Sequence, residues 1–193
     1  MEGLRYQKQT YMSDFLKLKC AGDVLNVVNP LGSKAEKEIT ESMAIIKKLR
    51  KIVLAKPNYY YVFDLCAGNA LTSVLSAFLL PIKKAIAIDK RPRERNWHLA
   101  KKFSYITDDI YNVVPSDIGP NAIIIGVHAC NKLAEQIIKI YKESDAEHLL
   151  LMPCCIGNIK SLNVPQPVIE KIGKYMAWAW QLAQEAGGDF FST

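Results

Sequence analysis

The sequence has no long hydrophobic run. Its longest apolar stretches, Ala77 to Pro81 and Ala122 to Val127, fall far short of the roughly 18 to 20 residues that a membrane span needs, so no membrane association is expected. The N-terminus, MEGLRYQKQTYMSDF, has neither the continuous apolar core nor the small-residue cleavage site of a secretory signal and reads as part of the mature protein. Cysteine is sparse: five residues, an odd number and scattered, which argues against a disulfide scaffold and for a reducing, cytoplasmic setting. Of the three glycines that a dinucleotide-binding G-x-G-x-x-G turn carries after its first strand, one is present at Gly68, and no Walker A loop occurs. Internal repeats and low-complexity segments are also missing.

What remains is an ordinary soluble composition: 193 residues, 50% hydrophobic and 23% charged. That suits one domain and excludes a disordered or collagen-like chain. The net charge is +6, and its placement says more than its size. Eight basic residues against two acids, Asp89 and Glu94, lie between Lys83 and Lys102. The rest of the chain is therefore balanced. Such a run reads either as a solvated helix face or as a phosphate-contacting patch.

Residues 1–58 read as a helical extension packed on the core, being too short for an independent one. Ser33 and Glu36 have capping-box spacing, and Ile39, Met43, Ile46, Leu49 and Val53 recur on one helical face. Pro57 ends that helix. From residue 59 to 193 strands and helices alternate. Strand runs at Tyr59 to Phe63, Ala85 to Ile88, Ser104 to Thr107, Ala122 to Val127 and His148 to Met152 are separated by helices at Leu71 to Leu80, Pro92 to Lys101 and Lys132 to Tyr141. One long helix, Gln166 to Glu185, closes the chain. This alternation demands right-handed crossovers and a parallel sheet covered on both faces, a doubly wound α/β domain; the strand order expected is the usual one of such sheets, 3-2-1-4-5. At most one more short strand fits after the last helix. An open sheet edge would be a pairing liability, which points to a homodimer.

In such a sheet, ligands bind beyond the carboxyl ends of the strands where strand order reverses. The first strand ends at Asp64-Leu-Cys-Ala-Gly-Asn69, where Gly68 lets backbone approach a ligand and the next helix N-terminus favours negative charge. Asp89 ends the second strand 25 residues further on, near the spacing at which a carboxylate accepts ribose hydroxyls; its other reading is a helix cap ahead of Pro92. Asp108 and Asp109 follow the third strand and suit either an adenine amino group or a cap. His128 follows the fourth strand, beside the first, as a general base or as an imidazole bonded to backbone. Cys66, Cys130, Cys154 and Cys155 end three strands that would be neighbours. They suit zinc, a redox pair or small buried groups under a ligand.

Four segments in order, V-F-D-L-C-A-G-N at 62–69, A-I-D-K at 87–90, G-V-H-A-C-N at 126–131 and L-M-P-C-C-I-G at 151–157, resemble the S-adenosylmethionine-dependent methyltransferase domain family of glutathione S-transferase C-terminal domain-containing proteins, methyltransferase-like 25 proteins and tRNA acceptor-stem ribose methyltransferases. The resemblance spans roughly residues 59 to 160. It implies a Rossmann-like methyltransferase fold with S-adenosylmethionine as cofactor. Asp64, Cys66, Ala67, Gly68 and Asn69 would line its methionine part, Asp89 and Lys90 the ribose end, and Asp108 or Asp109 the adenine. Cys130, Pro153, Cys154 and Cys155 would face the acceptor, with His128 as the catalytic group. Two departures stand out: Asn131 replaces the family's usual Gly after H-x-C, and the closing antiparallel hairpin is shortened or missing.

The fourth strand lacks the Asn/Asp-Pro-Pro-aromatic element of enzymes that methylate exocyclic amines of bases. A ribose hydroxyl, a small molecule or a protein stays open as acceptor, with RNA favoured by the basic segment. On this reading the basic segment lies at the ribose end of the cofactor, away from the mouth at His128 and Cys154-Cys155. The competing reading is a zinc- or thiol-containing Rossmann-like binding module without methyl transfer.

Overall fold

A computed structural model of the chain describes residues 11–29, 32–153, 155–156 and 163–189. Two helices come first: α1 (Ala21–Val28) and α2 (Ala35–Ala55), preceded by a helical turn over residues 11–16. Then follow β1 (Tyr61–Leu65), α3 (Leu71–Leu79), β2 (Lys84–Asp89), β3 (Phe103–Thr107), β4 (Ala122–Val127), α4 (Lys132–Glu143), β5 (His148–Met152), α5 (Gln166–Ile172) and α6 (Lys174–Ala186). The five strands form one parallel sheet in the order β3-β2-β1-β4-β5. The expected α/β class, strand order and N-terminal helical segment are all present. Among the described residues no helix is long and apolar enough to cross a membrane.

The sheet is covered on both faces. On one, α1, α2 and α3 share a core with the inner strands: Val24, Val27, Ile39, Leu49 and Val53 pack with Val62, Val74, Ala85 and Ile123. The five apolar positions of α2 picked out by their helical spacing are all buried; each side chain so removed from water contributes about 1.5–3 kcal/mol relative to exposure. The N-terminal helices are therefore part of the main core. On the other face, Leu65, Ile88 and Ile124 pack with Ile137 and Ile140 of α4. Trp178 of α6 is fully buried against Ala134, Ile138 and Leu182, while Trp180, two residues on, is 41% exposed. A spacing of two cannot put both rings on one helical face.

Three local expectations are corrected. The basic segment after β2 forms no helix; it is an extended loop ending in a 3-10 turn at Trp97–Leu99. Pro92 pushes Arg91 away from helical backbone, and α1 packs against α3 and against the 3-10 turn that ends the segment. Instead Trp97 stacks on Tyr105 at 5.1 Å, packs on Phe103, and donates its indole N–H to the Arg93 carbonyl at 3.0 Å. The long last helix is broken at Gly173, whose φ of +81° is outside helical space, giving α5 and α6. At the start of α2 the Ser33/Glu36 capping box does not form; Lys34 is the cap residue and makes no side-chain cap bond.

The turn from β4 into α4 accounts for the Asn131 departure. Asn131 has φ +54° and ψ −127°, a conformation that glycine adopts freely and that costs other residues about 1–3 kcal/mol. Asn tolerates positive φ better than most side chains, so the turn survives the replacement. The side chain is exposed and loses no packing on removal. Asn131→Gly should therefore raise unfolding stability by about 1 kcal/mol, measured by urea denaturation; an unchanged or lower midpoint would show that the Asn side chain relieves the strain locally.

Candidate functional site

The sheet changes winding direction between β1 and β4, and the crevice beyond their carboxyl ends is where strained backbone gathers. Cys66, Gly68 and Ala70 after β1, and His128 and Asn131 after β4, all have φ between +54° and +65°. Four of these five are not glycine. Such strain persists only where the surrounding structure holds it, and it concentrates at binding and catalytic sites. Here it is held by backbone bonds to neighbouring strands: Ala67 N–H donates to the Ile88 carbonyl at 3.0 Å and His128 N–H to the Met152 carbonyl at 2.9 Å.

A cavity of about 280 Å³ opens in this crevice. Its walls include Asp64, Cys66, Ala67, Gly68, Asn69 and His128, all singled out in the sequence, together with Glu38, Ser42, Leu71, Thr72, Arg91, Arg93 and Val127. Arg91 and Arg93 thus line the same cavity as His128. The basic segment is not remote from the predicted reaction site, as its position in the sequence suggested, because the loop that replaces the expected helix folds back over the β1 turn. The Tyr105 hydroxyl secures it by donating to the Arg91 carbonyl at 2.8 Å.

Asp64 forms the floor. Its side chain is 2% exposed, and Oδ2 accepts a hydrogen bond from the Ser73 hydroxyl of α3. Oδ1 is buried with no hydrogen-bond partner among the described residues. Burial, only partly offset by the Ser73 bond and reinforced by the Asp89 charge, pushes its pKa up to about 7. An orphaned carboxylate oxygen in a cavity wall calls for a donor, and a cationic one suits it best.

Asp89 stands at the end of β2. Its Oδ2 accepts the Gly68 backbone N–H at 2.8 Å, and its Oδ1 accepts the Arg91 backbone N–H at 3.0 Å. The Arg91 side chain adds an ion pair through Nε at 3.0 Å and Nη2 at 3.3 Å. Burial works against the charged carboxylate, yet these bonds outweigh it and hold the carboxyl below its ordinary value. No α-helix directly follows Asp89, so the expected helix cap does not form; its bonds instead tie the β1 and β2 turns together.

The roof comes from the N-terminal helix, which sequence reasoning treated as a packing element. Three side chains of one α2 face reach the site. Glu38 accepts from Asn69 Nδ2 at 3.0 Å, Ser42 and Thr72 hydroxyls meet at 2.9 Å, and Glu41 Oε2 lies 2.6 Å from His128 Nε2. The spacing 38, 41, 42 is helical and was visible in the sequence, but as a polar face it resembled a solvated one. No local signal says that a polar face is covered.

The remaining candidates are elsewhere. Asp108 accepts from the Asp109 backbone and from Asn112 Nδ2, both at 2.7 Å, and Asp109 caps the 3-10 turn by accepting from Tyr111 N–H at 3.1 Å. Neither lines the cavity. Lys90 is exposed. Pro153 is buried beside a second, more apolar groove between β5 and α6, its carbonyl accepting the Tyr175 hydroxyl at 2.7 Å. Cys66 and Cys155 are free thiols, and Cys130 Sγ lies 3.3 Å from the His128 carbonyl oxygen; Cys154 lies outside the described residues. Burial, with Asp89 adding to it, pushes the Cys66 thiol up to about 12, so it is a neutral wall group at any ordinary pH. Among the described residues no group of three or more His, Cys, Asp or Glu is arranged to hold a metal ion.

A family model described as a methyltransferase domain matches residues 34–161, from the start of α2 past β5. No curated protein matches the sequence. Similar solved structures include a mutant of MtNAS in complex with S-adenosylmethionine (10% identity, TM-score 0.39, 70% of this chain and 52% of that one). Others are magnesium protoporphyrin IX methyltransferase from Synechocystis PCC 6803 with bound SAM (14%, 0.41, 86% and 83%) and the plantazolicin methyltransferase BpumL with SAH (18%, 0.36, 71% and 51%). The chain spans about half the length of the first and third of these.

The raised pKa of Asp64 makes stability depend on pH. Its folded value, about 7, exceeds the ordinary 3.8, so the folded chain holds a proton that the unfolded chain has lost between those two values. The contribution is complete below about pH 4 and is lost as pH rises toward about 7. Asp64→Asn should flatten this decline in a urea-denaturation series from pH 4 to pH 8. An unaltered slope would mean that other groups carry it.

Proposed function

Because the chain belongs to the methyltransferase-domain family, we propose that it transfers the methyl group of S-adenosylmethionine to an acceptor hydroxyl, with RNA as the acceptor. The observation that carries the cofactor assignment is the partnerless Oδ1 of Asp64 in the floor of the cavity. A buried carboxylate oxygen there fits the ammonium group of the cofactor's methionine part. Gly68 presents backbone without a Cβ at the adjoining wall, with its φ at +55°. Asp89 marks the ribose end. Bound there, the cofactor supplies a methyl carbon activated by a sulfonium, open to in-line displacement.

The protein's part is positioning and proton handling. A hydroxyl becomes a competent nucleophile when a base removes its proton as the new bond forms. His128 serves as that base. Its strained backbone, clamped to β5 through Met152, fixes where the ring leaves the sheet. Glu41 lies 2.6 Å from Nε2, close enough for the carboxylate to orient the ring and stabilise the positive charge it gains. The buried Leu71 and the half-buried Val127 make that side of the cavity apolar.

RNA is favoured by charge. Arg91 and Arg93 stand on the cavity wall, and the segment from Lys83 to Lys102 carries the chain's whole net charge of +6. A small molecule or a protein acceptor would not need that excess. The alternative of a zinc or thiol module is weakened at Cys66, a thiol held neutral by burial.

Two measurements test this reading. At pH 7 about half of the Asp64 population is protonated, given a pKa of about 7. Pairing with an ammonium group should release that proton, on the order of half a proton per cofactor bound. Calorimetry in buffers of different ionisation enthalpy should detect the release in the wild type and not in Asp64→Asn; absence of binding at millimolar S-adenosylmethionine would overturn the assignment. For the acceptor, replacing Arg91, Arg93 and Arg95 by Ala should lower the salt slope of binding to a tRNA pool by roughly two, since each lost phosphate contact removes about 0.7–0.9. A slope equal to that of the wild type would make the patch a solvated surface.

A further inference from the structure

A carboxylate offers about four acceptor positions, two on each oxygen, and at Asp89 all four are taken. Oδ1 accepts from the Arg91 backbone N–H and from Arg91 Nε, both at 3.0 Å. Oδ2 accepts from the Gly68 backbone N–H at 2.8 Å and from Arg91 Nη2 at 3.3 Å. The group best placed to receive ribose hydroxyls therefore has no position left for them. Two of the four donors are backbone and are fixed by the turns they belong to. The other two belong to one side chain, which is 60% exposed while the carboxylate it covers is 6% exposed.

We infer that the Arg91 guanidinium is a removable occupant of the ribose site and so a specificity-determining residue for the cofactor. This rests on the reading that the cavity binds S-adenosylmethionine. When the side chain swings away it vacates one position on Oδ1 and one on Oδ2. Only a ligand that presents two neighbouring donors refills both, and the 2′- and 3′-hydroxyls of a ribose do so. A ligand with one hydroxyl leaves a buried carboxylate oxygen short of a partner, which is costly for a charged acceptor.

The side chain is suited to this exchange because its hold is weak. An ion pair with one largely solvated partner contributes little, since water competes for the guanidinium and its long stem loses entropy when fixed. In the open cavity water can take the two vacated positions, and the backbone bonds from Gly68 and Arg91 keep the carboxylate aimed. Displacement also leaves the guanidinium on the cavity wall beside Arg93, where it turns from an internal partner into a free cation.

The test is calorimetric and needs no acceptor. S-adenosylhomocysteine, which has no sulfonium charge, is titrated into the wild type, Arg91→Ala, Arg91→Met, Arg93→Ala, Asp89→Asn and the Asp89→Asn/Arg91→Ala double variant. Both Arg91 variants should bind about two- to fivefold more tightly than the wild type, the size expected for losing an exposed ion pair that competes with the ligand. Arg93→Ala removes the same charge from the same wall and should show no such gain. In the Asp89→Asn background, removing Arg91 should change nothing further. Equal or weaker binding by Arg91→Ala and Arg91→Met, or an equal gain in Arg93→Ala, would overturn the inference while leaving the cofactor assignment intact. No binding by the wild type or by either Arg91 variant at millimolar ligand would overturn the cofactor reading, and this inference with it.

Discussion

Parallel strands impose the constraint on which the rest of this molecule depends. Each connection must return over a face of the sheet, and with β4 set on the opposite side of β1 from β2, the two windings part at the carboxyl ends of β1 and β4. No crossover covers that point, so a crevice is left there. The residues after β1 and β4 must turn sharply to leave it, and they do so with positive φ at Cys66, Gly68, Ala70, His128 and Asn131. Four side chains are thereby held in directions that ordinary turns would not give them. The site follows from topology first and from residue identity second.

Within that crevice polar groups are arranged by what they lack. Asp64 has one oxygen satisfied by Ser73 and one left over, and burial makes its proton hard to lose. Asp89 is the opposite case: it is fully bonded and firmly ionised. Two carboxyl groups at the ends of adjacent strands, β1 and β2, are thus tuned apart by their partners, one poised to gain a cationic partner and one already holding a cation. Environment has assigned different roles to the same functional group.

The helices before β1 serve both the core and the cavity. The apolar face of α2 closes the core, and its polar face supplies Glu38, Glu41 and Ser42 to Asn69, His128 and Thr72. The carboxylate beside His128 comes from 87 residues earlier in the chain. The family match beginning at residue 34 agrees with α2 being integral to the domain.

The amino-acid sequence by itself determined the α/β class and the core face of α2, because these follow from periodicity and from the alternation of strands and helices. The rule that ligands sit beyond strand ends picked out Asp64, Cys66, Gly68 and His128 on the cavity wall, and the family resemblance added Ala67 and Asn69 and marked position 131. Only the tertiary structure decided that the basic segment is a loop and not a helix, with its 3-10 turn packed against α1, which lies far away in sequence. The same holds for Glu41 against His128 and for Arg91 upon Asp89. Local pattern reports whether a face is polar or apolar, but a partner 87 residues away, or a side chain that closes back on its own strand end, is chosen by packing that no short window of sequence contains.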